Sequence, residues 1–501
     1  MESLSHLYQP QRQSPKAVLL ILLKYFRIIV RQMWPILLIV LINPTGGKGI
    51  IITVIAFAIV LISLIYSLVS YTRYYYFIEN NELCVRSGVF RKKVLNVPFD
   101  RIQSIDFKRN LIHQFLNVVS VQVDTAGSKG NELELDAIEL GRAEELREFV
   151  LAYKQARKTV TMDGVDFIPP VPVLQEAPEL ILSLSPQDLI KIGVSENHLR
   201  TAAIIFAFFL GLADDLDQLI GWDIYGQLEN TTTAMSLFGL FATLVAIPLF
   251  ILVSFTYTLI RTVLRYYGLK FWREGKSFKV VSGLFTRHEK SIQKSKIQLI
   301  HWVTSPLKKI FSIYQLNIYQ AANVDQNQHK SLVIPGCYKQ QVDHTLDTIV
   351  PAFKNAVFTS HRMHPAIVWL MVFILGFIPA VLFGLMAWYN EGMMQWLLTL
   401  VFPLAIWMGY LYQRKRRFKI HPDFIVSEGG IFGNASKLIE IYKVQSVQIH
   451  SSPMQRRRGL TSLHVYTAGG EIAFPYLNEN IARQARDYIL YRVEKEEKSW
   501  M

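Results

Sequence analysis

The feature that most constrains this chain is a short pattern that occurs three times at a fixed register. It reads Ser87-Gly88-Val89-Phe90 followed by Arg101-Ile102-Gln103-Ser104-Ile105. It returns as Ser282-Gly283-Leu284-Phe285 with Lys296-Ile297-Gln298-Leu299-Ile300, and as Gly429-Gly430-Ile431-Phe432 with Lys443-Val444-Gln445-Ser446-Val447. Ten residues separate the two blocks in every copy. A third block follows each: Asp124–Gly127, Gln320–Asn323 and Thr467–Gly470. Self-similarity at constant spacing signals duplicated structural units.

Within a unit the apolar residues alternate, which is strand spacing. Leu83 and Val85, Phe278 and Val280, and Phe424 and Val426 precede the turn; Val121 and Val123, Leu316 and Ile318, and Leu463 and Val465 come later. Gly88, Gly283 and Gly430 fit a turn or bulge where a side chain is unwelcome. Between the strands, NLIHQFLN, SPLKKIFS and SPMQRRRG read as one or two helical turns. Each unit closes in a helical pattern, at Arg142 to Lys158, Lys339 to Phe353 and Asn478 to Glu497. One unit is therefore an α+β arrangement of about 80 residues, a sheet of short antiparallel strands closed by a helix. Gln103, Gln298 and Gln445 point to the opposite face from their apolar neighbours, where an amide hydrogen-bonds nearby backbone.

The rest of the chain is apolar. Hydrophobic residues make up 51% of the 501, high for a soluble protein, while 18% charged residues exclude membrane helix throughout, so apolar and soluble blocks alternate. A helix needs about 20 apolar residues to cross a bilayer. Ile50 to Ser70, Met235 to Ile260 and Ala366 to Trp388 meet this with no charge, and Met393 to Tyr412 is a fourth span. Two more are shorter: Thr201 to Ala213, and Gln32 to Ile42 after an interfacial segment whose Lys24, Arg27 and Arg31 share one helix face. The expected architecture is six spans in three hairpins, each followed directly by a soluble domain. The expected boundaries are 1–71 amphipathic segment and hairpin; 72–158 domain one; 159–194 proline-containing linker and amphipathic helix; 195–262 hairpin two; 263–356 domain two; 357–412 hairpin three; and 413–501 domain three. Arg73, Arg261, Arg265 and Arg414 to Arg417 follow the even spans, whereas Asp214 to Thr233 is acidic with no Lys or Arg. The positive-inside rule then puts both termini and all three domains in the cytoplasm of a multi-pass cell-membrane protein.

The Ser-Gly-hydrophobic turn, the Arg-Ile-Gln-Ser-hydrophobic block and the Val121 to Gly127 strand resemble the bacterial pleckstrin-homology-like domain family, and the hairpin order resembles multi-pass members from Bacillus and relatives. Copy two departs, with Leu299 in place of serine. The resemblance implies a split β-barrel of about seven strands with a capping C-terminal helix. It also implies a link to resistance against membrane-active peptides or bacteriocins, and a partner membrane protein of the same domain type.

No enzyme constellation is present: no phosphate loop, no GxSxG, no HExxH. His361 and His364 stand at i, i+3 without a third ligand, and Cys84 and Cys337 give no zinc spacing. No cofactor or metal is expected, and no nucleic acid, since aromatic-basic stacking patterns are missing. The net charge of +14 concentrates in Arg91-Lys92-Lys93, Lys308-Lys309 and Arg456-Arg457-Arg458, the candidate contacts to anionic lipid or a partner. Two functions remain: a non-catalytic membrane scaffold or binding protein, and a transporter or exporter of amphipathic peptides.

Overall fold

The computed structural model describes residues 7–24, 27, 48–125, 131–160, 178–198, 200–205, 207–208, 211, 237–320, 331–389 and 394–496. Each copy contains a four-stranded and a three-stranded run of antiparallel strands. Domain one has β1 (Gln11–Arg12), β2 (Tyr75–Glu79), β3 (Glu82–Ser87) and β4 (Lys93–Pro98), then β5 (Ile102–Asn110), β6 (Val118–Thr125) and β7 (Asn131–Glu139). Domain two repeats this with β8 (Glu179–Ser183), β9 (Lys270–Glu274), β10 (Ser277–Ser282), β11 (Thr286–Gln293), β12 (Ile297–Thr304), β13 (Ile313–Gln320) and β14 (Ser331–Tyr338). Domain three has β15 (Thr359–Arg362), β16 (Arg417–Ile420), β17 (Phe424–Gly429), β18 (Asn434–Glu440), β19 (Val444–His450), β20 (Leu460–Thr467) and β21 (Gly470–Asn478). Closing helices follow at Leu140–Val160, Lys339–Ile349 and Glu479–Lys495. They bury residues three or four apart, such as Val342, Leu346 and Ile349, the spacing of one helix face. The second ends ahead of Pro351, because proline disfavours helical backbone at the preceding residue.

The sequence places each domain directly after its hairpin. The structure corrects this: the first strand of every domain precedes the apolar segment, which is an insertion between two neighbouring strands. Arg12 lies opposite Tyr75, Ser183 opposite Lys270, and Arg362 opposite Arg417. Segment 179–183, expected in a linker, is thus a strand of domain two. The amphipathic helix expected beside it is Pro186–Val194, started by a Ser185/Asp188 capping box.

The three domains are also joined to one another. β5 pairs with β11, and β12 with β18, so two seven-stranded sheets run across the domain boundaries. The two junctions share one register. Arg287 faces Arg109 in the first, and Asn434 faces Thr304 in the second. Arg287 and Asn434 are each the fourth residue after the turn glycine, and Arg109 and Thr304 each the seventh after Ile102 or Ile297.

The junctions differ in chemistry. At the second, Phe424, Val426 and Leu438 of domain three join the core of domain two, while Leu299 of domain two joins the core of domain three. The alternation Phe424, Val426 therefore marks the junction face of β17; Ile425 faces the domain's own core. A one-residue shift exchanges the faces of a strand. Leu299, the departure from the serine of the other copies, is explained by this burial.

Among the described residues two helices are long and apolar enough to cross a membrane, Pro248–Tyr266 and Ile367–Leu385. The first belongs to a helix spanning Leu237–Tyr266, and further apolar helices run over Lys48–Thr72 and Met394–Lys415. The expected span at 32–42 lies outside the described residues, and that at 201–213 is described only at 201–205, 207, 208 and 211, so the structure does not bear on the count of six. In the third hairpin Gly376 lies against Phe402 and Ala405, and Gly409 against Val368 and Met371, the small-residue packing of membrane helices. A π-helical turn at Phe373–Phe377 ends two residues ahead of Pro379, whose missing N–H it accommodates.

Candidate membrane-facing site

Each Ser/Gly-Gly turn is built by a glycine no other residue replaces. Gly88, Gly283 and Gly430 have φ of +111°, +109° and +120°. A Cβ there would stand 1.9 Å, 2.0 Å and 2.5 Å from the carbonyl oxygens of Arg91, Thr286 and Gly433. The turn thrusts a phenylalanine outward beside the membrane helix that precedes it. Gly283 N–H donates to Tyr267 O at 3.0 Å and Leu284 N–H to Leu264 O at 2.9 Å. Lys415 Nζ donates to the carbonyls of Phe432 and Gly433. The rings of Tyr66 and Phe90 stack at 6.4 Å, and those of Trp407 and Phe432 meet at 5.7 Å. Phe90, Phe285 and Phe432 are 91%, 48% and 47% exposed, so three apolar rings project beside apolar helices.

The basic clusters are placed unequally. Arg91, Lys92 and Lys93 are exposed, running from the first turn into β4. Lys309, Arg456, Arg457 and Arg458 are exposed on or directly after the short helices Pro306–Ile310 and Pro453–Arg456. Lys308 is different. It is buried, with Nζ 3.1 Å from Glu196 Oε1 and 3.1 Å from Gln315 Oε1, and it ties domain two to the segment entering hairpin two. The cause is local. Asn110, Ser305 and Ser452 cap the three short helices by accepting from the amides of His113, Lys308 and Gln455. That third position is buried in all three copies. The alignment of Lys308 with His113 and Gln455 was a signal for its inward orientation.

The motif glutamines do not share one role. Gln298 is buried against Gly469 of domain three, where a Cβ would come within 2.6 Å of Gln298 Cβ; Gln445 is exposed, and the side chain of Gln103 lies outside the described residues. His364 Nδ1 accepts from Ala366 N–H, while His361 sits in β15.

At the first junction Glu289 lies 2.5 Å from Arg147 and 2.8 Å from Lys279. Burial acts to raise its pKa, but hydrogen bonds from Lys279 and Arg147 outweigh this and hold the carboxyl below its usual range. Arg147 also stacks over Phe107 at 4.7 Å. A shallow cleft of about 230 Å³ opens beside them, lined by Arg109, Arg287, Glu144 and Glu289. Among the described residues no three His, Cys, Asp or Glu side chains converge as a metal site.

Comparison with known proteins finds the same threefold repeat. The family model described as "Bacterial PH domain" matches three times, at residues 18–154, 209–352 and 362–493, and each match takes in apolar sequence ahead of the main strands. The chain is also 22% identical over 411 residues to the transmembrane protein YdbT of Bacillus subtilis (strain 168), covering 79% of this chain and 80% of that protein.

Proposed function

Because this chain belongs to the bacterial PH domain family, we propose that it is a non-catalytic membrane scaffold holding a rigid row of three PH-like domains against the cytoplasmic face of the cell membrane. The observation that carries this reading is the insertion of each membrane segment between two neighbouring antiparallel strands. Such strands lie about 4.8 Å apart. Both ends of each insert therefore leave from one side of the bilayer, and each insert crosses an even number of times. Two crossings per insert make six spans and put all three domains on one side. The basic residues after the returning helices, Arg73, Arg261, Arg265 and Arg414 to Arg417, make that side the cytoplasm.

Against an anionic leaflet, Arg91, Lys92, Lys93, Lys309, Arg456, Arg457 and Arg458 each contribute about 1 kcal/mol. Phe90, Phe285 and Phe432 add apolar anchorage at the interface. The scaffold supports envelope defence against membrane-active peptides or bacteriocins; family resemblance and the basic, membrane-adjacent surface support that assignment.

The full chain is the right test object, because domain three shares its core with domain two. In nanodiscs containing phosphatidylglycerol, charge reversal of Arg456, Arg457 and Arg458 should lower the number of anionic lipids retained in native mass spectra. Equal retention by both proteins would remove the lipid contact from the scheme. A deletion strain with unchanged sensitivity to cationic peptides would remove the defence role.

A further inference from the structure

The two internal junctions use one interface twice, and among the described residues both halves of that interface stand open, one in domain one and one in domain three. Inside the molecule the outer edge of β11 receives β5, and the outer edge of β18 receives β12. The equivalent edge in domain one is β4, and the equivalent donor in domain three is β19. Among the described residues each is the last strand of its sheet. We propose that a second copy of this chain docks head to tail, its β4 continuing the sheet begun by β19 of the first.

The internal register dictates the intermolecular one. Lys92 is the fourth residue after Gly88 and Ser451 the seventh after Val444, so they face each other as Arg287 and Arg109 do. His450 then faces Lys93, and Ile449 faces Val94. Exposure agrees: Val94 is 58% exposed, whereas its equivalent Ser436, covered by domain two, is buried. Phe90, at 91%, is nearly twice as exposed as Phe285 and Phe432, whose turns are approached by a preceding domain. Across the first junction Gln114 Nε2 donates to the carbonyls of Leu284 and Phe285 at 3.2 Å and 3.3 Å. Arg456 occupies the position of Gln114 in domain three, is exposed, and has the donors to meet the carbonyls of Val89 and Phe90 in the next copy.

Repetition of one operation also suits the bilayer. That operation carries domain one to two and two to three while keeping each turn at the base of a membrane helix; a third application keeps the next copy on the same side. A heterologous contact of this type builds a ring or an open row. Its weakness is charge, since Lys92 and Lys93 approach His450 and Arg456. The first internal junction tolerates the same arrangement, with Arg287 opposite Arg109 and His288 opposite Lys108. Association should therefore rise with salt, as screening shortens the reach of these charges.

The test uses the full chain in proteoliposomes with Val94→Cys and Ile449→Cys together; native Cys84 and Cys337 are buried. Mild oxidation should produce dimers and higher multiples, at least fivefold above the one-residue-shifted pair Val94→Cys with Gln448→Cys. Lys93→Glu should raise the multimer fraction at low salt. Ala435→Cys with Val303→Cys, across an existing junction, reports that the array has folded. Multimers no more abundant than for the shifted pair, with that internal link formed, would overturn the proposal. So would crosslinking to a different membrane protein in place of a second copy when the same cysteine pair is oxidised in native membranes. Lipid retention is not part of this readout, so failure of the lipid contact leaves it intact.

Discussion

Replacing Glu289 by glutamine should loosen the first domain junction while leaving each domain folded. The carboxylate bonds Arg147 and Lys279, and the Arg147 and Glu289 side chains are 16% and 21% exposed. Exposed ion pairs are worth about 0.2–1 kcal/mol, whereas breaking a fully buried pair costs about 3–5 kcal/mol. A site this far buried lies between, at about 2 kcal/mol, or roughly a 30-fold change in the opening equilibrium. Hydrogen exchange reads that opening directly when closing is faster than exchange. Amides of β11 should exchange roughly 30-fold faster in Glu289→Gln, with β20 and β21 unchanged. A cycle with Arg147→Gln should give a coupling above about 1 kcal/mol. Glu479→Gln, which breaks the exposed pair with Arg483, should cost under about 0.5 kcal/mol. The folded carboxyl titrates below its unfolded value of about 4.3, so its contribution is complete above that pH and is lost as pH falls through the lower folded value. The difference between wild type and Glu289→Gln should therefore vanish in acid. Less than a twofold change in β11 exchange at neutral pH, or coupling below about 0.3 kcal/mol, would refute a junction held by this triad.

Three further outcomes are expected. Burial, with Lys437 adding to it, pushes His301 down to about 4, below an unfolded value of about 6.5. The unfolded chain then binds the extra proton, so stability falls as pH drops below about 6.5, by about 2 kcal/mol at pH 5; melting curves of His301→Gln should lose that slope. Gly283→Ala forces a Cβ to within 2.0 Å of Thr286 O at positive φ and should cost about 2–3 kcal/mol in denaturant titrations. Lys308→Met leaves Glu196 without its buried cation and should lower the melting temperature, whereas Lys309→Glu should leave stability within about 0.5 kcal/mol and reduce only anionic-lipid retention.

The sequence by itself determined the threefold repeat, the α+β unit, its turn glycines, its short helical turns and the closing helices. These are local: strand alternation, helical spacing and a left-handed turn each follow from residues a few positions apart. It did not reveal that Gln11–Arg12, Glu179–Ser183 and Thr359–Arg362 are first strands, because their partners lie more than fifty residues further on, beyond long apolar segments. Strands this short carry little periodicity of their own. The basic clusters were legible as charge, but the inward turn of Lys308 toward Glu196 depended on a partner more than a hundred residues away. Only the tertiary structure decided which strand edges meet. A strand's free edge offers the same backbone donors and acceptors whatever its side chains, so composition does not name its partner. That indifference is why Leu299 and Phe424 looked like ordinary variations of a motif until the shared cores of the second junction gave each a reason.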